Sequence, residues 1–248
     1  MTARPIKRIG MLTPSSNTTV EPVTAELTAQ VSEVSAHTAR LRVTEITLDG
    51  DSKVQFGVDP MLAAADLLAD ARMHMMGWNG TAASWLGFDQ DARLCAEITR
   101  KYDVPATTAV LAINDLLAEM NVRRLAVVSP YLDDVQARID DNYRAAGFDV
   151  VAERHMRERV NYAFAEIPLE EIECLIREVA VDGPDAVVIM CTNMRGAYVA
   201  DALERELDIT VIDSLAAYVW KSLRLVDVDT ARITGWGRLF NCTDSQAA

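Results

Sequence analysis

The stretch Val187-Val188-Ile189-Met190-Cys191-Thr192-Asn193-Met194-Arg195-Gly196 is apolar for its first half, closes that run with a thiol, and then turns polar and small. A buried strand of a parallel sheet reads as a short β-branched run, and the polar residues behind it mark the hand-over to a helix. The sulfur of Cys191 is therefore expected at the carboxyl end of a strand and near a helix N-terminus, where free N–H groups and the helix dipole favour a thiolate. A buried structural cysteine is the plainer alternative, because free cysteine is among the most buried residue types. Position alone leaves the two readings level. Recurrence of the pattern in the first half of the chain tips the balance toward function.

Outward from this stretch, strand-like and helix-like runs alternate. Ile9 to Thr13 reads as a strand and is followed by a helix from about Glu21; Arg40-Leu41-Arg42-Val43 is a second strand candidate. A helix over Met61 to Ala71 leads to a strand ending near Trp78, then come a helix from Asp91 to Lys101, a short strand over Val104 to Thr108, and a helix to Met120. The second half opens with a strand over Leu125 to Ser129. It continues with a helix from Asp133 to Ala146, a strand at Val150 to Ala152, and a helix from Leu169 to Ala180. The strand Ala186 to Met190, the helix Ala197 to Leu207, the strand Ile209 to Ile212 and the helix Leu215 to Leu225 complete the set. Such alternation predicts an α/β fold in which parallel sheets are flanked by helices.

The two halves echo each other. Strand-Thr13-Pro14-Ser15-Ser16-Asn17 parallels strand-Ser129-Pro130-Tyr131-Leu132-Asp133. Strand-Asn79-Gly80-Thr81-Ala82 parallels strand-Met190-Cys191-Thr192-Asn193, and Val104 to Ala109 parallels Ile209 to Ser214. Two lobes related by a pseudo-two-fold would bring equivalent strand ends face to face, and ligands of open α/β sheets bind at those ends. The predicted cleft is lined by Pro14, Ser15, Ser16, Asn17, Gly80, Thr81, Ala82, Tyr131, Cys191, Thr192 and Asn193.

That inventory offers hydroxyls and backbone N–H groups, which suit a carboxylate or an enolate oxygen held by converging donors. Ser, Thr and Asn at these places also cap helices, and the two roles can coexist. Asn17 and Asn161 are candidate substrate amides, with turn residues as the alternative; Tyr131 is a candidate donor that could equally belong to core or surface.

Composition removes several classes. The chain has 248 residues and a net charge of −13, spread without an acidic tail or a basic stripe, so nucleic acid is not an expected partner. Cys95, Cys174, Cys191 and Cys242 are scattered, and His37, His74 and His155 show no metal-ligand spacing, so no metal is expected. Nothing suggests disulfides. The N-terminus lacks a signal-peptide core, and no apolar run approaches a membrane span, so a soluble, cytoplasmic protein is the expectation. There is no Gly-x-Ser-x-Gly elbow and no phosphate loop, and Gly77, Gly80 and Gly87 are too loosely spaced for a dinucleotide fingerprint.

With these residues in view, the chain resembles the aspartate/glutamate racemase superfamily over nearly its whole length. It looks closest to the branch containing maleate cis-trans isomerases and arylmalonate decarboxylases. Pro14-Ser15-Ser16-Asn17-Thr18 resembles the isomerases' opening motif, and Asn161 in Val160-Asn161-Tyr162-Ala163-Phe164 matches an asparagine that holds substrate there. Ser129-Pro130-Tyr131-Leu132-Asp133-Asp134-Val135 and Gly235-Trp236-Gly237-Arg238-Leu239-Phe240 are similar to segments of the decarboxylases.

The resemblance implies two Rossmann-like lobes with the active site between them, no cofactor, and chemistry at a carbon next to a carboxylate. It implies a first lobe over residues 1–108, a second over 109–214, and a C-terminal segment, 215–248, that packs back on the first. Racemases and isomerases of the superfamily use two facing cysteines. Here Cys191 matches the second, while Gly80 stands in the place of the first. A glycine opposite one cysteine is the decarboxylase arrangement, in which an enediolate is held by hydroxyls and N–H groups and one thiol protonates one face. Thr81 fits that arrangement, whereas the second hydroxyl falls on Ala82, and Cys191-Thr192-Asn193 is not glycine-rich.

The expectation is a cofactor-independent enzyme acting on a small carboxylate or dicarboxylate through an enediolate-type intermediate. Cys191 serves as proton donor or nucleophile, and Thr81, Tyr131 and N–H groups near Gly80 and Thr192 hold the oxyanion. Asn17, Asn161 and Ser15 or Ser16 position a remote carboxylate. Decarboxylation ranks first, maleate-type isomerisation second and racemisation third; a catalytically silent protein that senses a small acid is the rival class. No membrane partner is expected, and a homo-oligomer, dimer or tetramer, is compatible with the sequence.

Overall fold

In the computed structural model, which describes residues 5–48 and 55–242, the alternation resolves into two four-stranded sheets. The first contains β1 (Lys7–Pro14), β2 (Val34–Leu41), β3 (Met75–Trp78) and β4 (Ala106–Thr108) in the order β2-β1-β3-β4. The second contains β5 (Arg124–Ser129), β6 (Asp149–His155), β7 (Ala186–Ile189) and β8 (Thr210–Asp213) in the order β6-β5-β7-β8. Every neighbouring pair is parallel. Raising each strand number of the first order by four gives the second, which is the relation the repeated turns predict.

Helices flank both sheets. Those of the first half are α1 (Val20–Thr28), α2 (Val58–Ala69), α3 (Ala83–Leu86), α4 (Phe88–Tyr102) and α5 (Ala109–Glu119). Those of the second are α6 (Asp133–Ala145), α7 (Leu169–Ala180), α8 (Ala197–Leu207) and α9 (Ser214–Leu225). The central strands are buried on both faces, and Leu125 to Val128 and Ala186 to Ile189 are fully buried, as their continuous apolar runs require. Gly77 lets β3 approach β4 closely, because a Cβ there would meet Thr107 O at 1.8 Å.

The second strand lies earlier than the sequence pattern placed it, at 34–41 and not at 40–43. It is an edge strand whose first five residues are half-buried, so its polar Ser35, His37 and Thr38 hide the apolar signal. The helices after β4 and β8 share one capping device at equivalent positions. Thr108 Oγ1 accepts from Leu111 N at 3.1 Å and Asp213 Oδ1 from Ala216 N at 2.9 Å.

α5, which opens the expected second lobe, packs against α4, β4 and α9. The C-terminal segment, expected on the first lobe, touches both. Tyr218 of α9 donates its hydroxyl proton to Gly10 O at 2.7 Å, and Thr234 bonds to Gln30. Arg238 then donates to Glu204 and Asp208 of the second half. No described helix is long and apolar enough to cross a membrane.

Candidate active site

The carboxyl ends of β1, β3, β5 and β7 converge on one cavity. Its walls are Pro14, Gly80, Thr81, Ala82, Tyr131, Asn161, Cys191 and Thr192, joined by Ile46, Phe56, Trp78 and Trp85. The cavity is tight, with about 20 Å³ for the centre of a water-sized occupant, which is room for roughly one water. Among the described residues, no lysine, arginine or histidine lines it. Eight of the twelve residues singled out from the sequence therefore meet at one place.

Cys191 follows β7 directly and is 2% exposed. Burial pushes its thiol up to about 11, although Asn193 N–H (3.4 Å from Sγ), Tyr131 and Met194 N–H all favour the thiolate. The buried Asp213 carboxylate opposes the thiolate further. Desolvation thus outweighs the N–H groups that the sequence reading expected to win, and Cys191 stays protonated at neutral pH.

Tyr131 and Thr81 share a hydrogen bond of 2.7 Å across the two halves, with either hydroxyl able to donate. The Tyr131 ring is gripped edge-on by Trp85 (centroids 4.9 Å apart) and Phe164 (5.6 Å), which fixes its hydroxyl toward Thr81 and Cys191. Burial holds the phenol well above its ordinary range, so it acts as a neutral donor. Thr81, Tyr131 and Cys191 form a connected set of O–H and S–H groups in the cavity.

Gly80 does not have a left-handed backbone; it is glycine because of close approach. A Cβ on it would lie 2.3 Å from Trp78 Cζ2, 2.4 Å from Cε2 and 2.8 Å from Nε1. The indole of Trp78 fills the volume where a side chain at 80 would start. Ala82 contributes only a methyl to the wall, and Pro14 ends β1 there.

Four candidates lie outside the cavity walls because backbone and neighbours already use them. Asn17 Oδ1 caps α1, accepting from Thr19 N and Val20 N at 2.9 Å each, and its amide donates to Thr192 Oγ1 at 3.3 Å. Ser15 is exposed and bonds to the backbone of Val43. Ser16 Oγ donates to Val43 O and accepts from Asn161 Nδ2 at 2.7 Å, so Ser16 orients Asn161 from behind. Asn193 accepts from Thr18 N at 3.0 Å and donates to Asn161 O.

Three of these bonds cross between the halves, Asn17 to Thr192, Asn161 to Ser16 and Thr18 to Asn193, as does Thr192 Oγ1 to Asn79 O at 3.2 Å. A short antiparallel bridge between Glu45 and Val160, with Ile46 N donating to Arg159 O, draws the segment after β2 over the cavity and delivers Ile46. Ile46 and Phe56 carried no signal in the sequence: they sit in a stretch with neither strand nor helix periodicity. Among the described residues, no group of three or more His, Cys, Asp or Glu side chains is placed to hold a metal ion.

The chain is 26% identical over 246 residues to a maleate isomerase of Nocardia farcinica, covering 94% of this chain and 95% of that one. It is 25% identical over 165 residues to the arylmalonate decarboxylase of Bordetella bronchiseptica, covering 65% and 69%. A mutant of the Nocardia farcinica maleate cis-trans isomerase, solved with a covalently bound succinylcysteine intermediate, has the same fold. Its TM-score is 0.84 at 23% identity, over 96% of this chain and all of the other. The arylmalonate decarboxylase family matches residues 9–240, nearly the whole described chain, and the chain belongs to that family of enzymes.

Proposed function

We propose that the protein is a cofactor-independent decarboxylase of a small α-substituted malonate-type acid, with Cys191 as its single proton donor. The observation that supports this reading is one protonated thiol in a cavity that Gly80 also lines. Cys191 is kept neutral by burial, and among the described lining residues it is the one thiol, with no carboxylate, lysine or histidine among the rest.

In the reaction, the bond from the α-carbon to one carboxylate breaks and carbon dioxide leaves. The electron pair stays on the α-carbon and spreads into the remaining carboxylate as an enediolate. Thr81 and Tyr131 give up the bond they share and donate to the enediolate oxygens, as hydroxyls already held close to the reacting carbon can. The thiol of Cys191 gives its proton to the α-carbon, and solvent reprotonates the sulfur. The wall of Ile46, Phe56, Trp78 and Trp85 is apolar, so moving a carboxylate out of water against it favours its loss as neutral carbon dioxide.

Asn161 favours a second reading. Its side chain is held by Ser16 and lines the cavity, where it suits the far carboxylate of a dicarboxylate, as maleate-type isomerisation requires. Racemisation is third, since it needs an acid or base on each face. Incubation with phenylmalonate, maleate and amino acids in heavy water separates the three. Release of carbon dioxide with one deuterium at the α-carbon supports the decarboxylase. Conversion of maleate without loss of carbon overturns it in favour of the isomerase. A protein that binds these acids but turns none over is a sensor.

A further inference from the structure

Trp78 combines features that the reaction scheme leaves unused. It ends β3, is 1% exposed, and forms part of the cavity wall beside Cys191, Thr81 and Tyr131. Its Nε1 has no hydrogen-bond partner in the protein, although buried N–H groups are nearly always paired. The ring edge that carries this N–H is the part nearest to residue 80, since Cζ2, Cε2 and Nε1 are the atoms a Cβ there would strike. Phe56 meets the indole edge-on at 6.4 Å between centroids, which holds the ring in place.

An indole N–H is a donor only, so its partner must be an acceptor. It does not release its proton at ordinary pH, so it can hold an oxygen without acting as an acid. We propose that Trp78 Nε1–H is the substrate-oxygen donor on the Gly80 side of the cavity and determines which acids bind. The occupant is an acid with a carboxylate oxygen set against the indole and an apolar substituent among Phe56, Ile46 and Trp85. Gly80 and Trp78 then act as a pair: glycine makes room for the ring, and the ring gives the face opposite the thiol a hydrogen bond in place of a second acid. This assignment rests on the carboxylate-binding reading above.

The test uses the full chain labelled with nitrogen-15 at the tryptophan indoles. Trp85→Phe, Trp220→Phe and Trp236→Phe identify three of the four resonances and leave that of Trp78 by elimination. Phenylacetate, succinate and maleate are the probes, and protection of Cys191 from iodoacetamide reports binding independently. The expected result is a downfield shift of the Trp78 N–H with any probe that protects Cys191. Trp78→Phe should weaken that probe roughly tenfold or more, the loss typical of a hydrogen bond to a charged group. A probe that protects Cys191 while the Trp78 resonance stays still overturns the role of Trp78 and leaves the acid-binding reading intact. If no carboxylate protects Cys191 or moves any resonance, both fall. Should Trp78→Phe fail to fold, the shift in the unaltered protein decides alone.

Discussion

Gly80→Cys is the substitution that would put a thiol on each face of the cavity, and its cost can be worked from the structure. The new Cβ would lie 2.3 Å from Trp78 Cζ2 and 2.4 Å from Cε2, against about 3.5–4.0 Å for carbon atoms in contact. The ring must move by about an ångström or more. It cannot swing away freely, since it is 1% exposed and braced by Phe56. Overpacking of this kind costs about 1–3 kcal/mol. In a chain of this size each kcal/mol lowers Tm by roughly 2–4 °C, so Gly80→Cys should melt roughly 2–12 °C below the parent. Trp78→Val alone opens a hole and should cost about 3 kcal/mol or more. In the double variant the thiol enters the vacated space, and the two penalties should sum to less than their separate values by about 1–3 kcal/mol. Thermal and urea unfolding of the four proteins measure that coupling. The double variant should also exchange the α-hydrogen of an α-substituted acid product on both faces in heavy water. A Gly80→Cys protein as stable as the parent, or strictly additive penalties, would refute the packing argument. A folded double variant that exchanges one face only would show that residue 80 does not oppose Cys191.

Further outcomes follow from the same geometry. Cys191→Ser should fold normally and lose more than about tenfold in turnover, equivalent to at least roughly 1.4 kcal/mol of barrier; retention of a tenth of the activity would remove Cys191 from the chemistry. Because the thiol is held up near 11, a Cys191 acid gives a kcat/KM flat between pH 7 and about 9.5, whereas a thiolate nucleophile gives a rate rising about tenfold per pH unit over that range. Tyr131→Phe removes one oxyanion donor and strips Thr81 of its partner, so kcat should fall by about 10²–10³; a smaller effect on kcat than on KM would make Tyr131 a binding residue only. Burial raises Asp91 to about 7 in the folded protein, above its unfolded value, so the native state holds this proton more tightly and stability falls as pH rises toward 7. Asp91→Asn should therefore raise Tm at pH 8 relative to the parent and not at pH 4; equal shifts at both would refute the linkage.

The architecture was legible where strands are buried on both sides. Leu125 to Ser129 and Ala186 to Ile189 announce themselves as unbroken apolar runs, and the repeated turns behind them predicted the doubled strand order. The edge strand Val34–Leu41 did not, because half-buried residues need no apolar pattern. At the site, strand-end position identified Cys191, Thr81 and Tyr131, but it could not distinguish residues that face the cavity from those that hold the facing residues. Ser15, Ser16, Asn17 and Asn193 belong to the second group, and nothing in a Ser or Asn at a turn records which way it points. The protonation of Cys191 is not legible in the sequence, because helix position is local whereas desolvation depends on everything packed around the sulfur. The need for glycine at 80 comes from the Trp78 ring folded back beside it, a contact that no sequence pattern records.

The polar groups of the cavity are bonded to one another before anything enters: Thr81 to Tyr131, Asn161 to Ser16, Thr192 to Asn17 and to Asn79. A ligand that approaches them is therefore a competitor in an exchange. Each hydrogen bond it forms displaces one already made, and the net yield per bond is small. A molecule lacking one acceptor leaves that internal bond in place and forgoes only the small surplus. Such a pocket holds its occupant loosely, which suits turnover more than storage. The Trp78 N–H, which starts without a partner, is where a ligand gains a bond without breaking one.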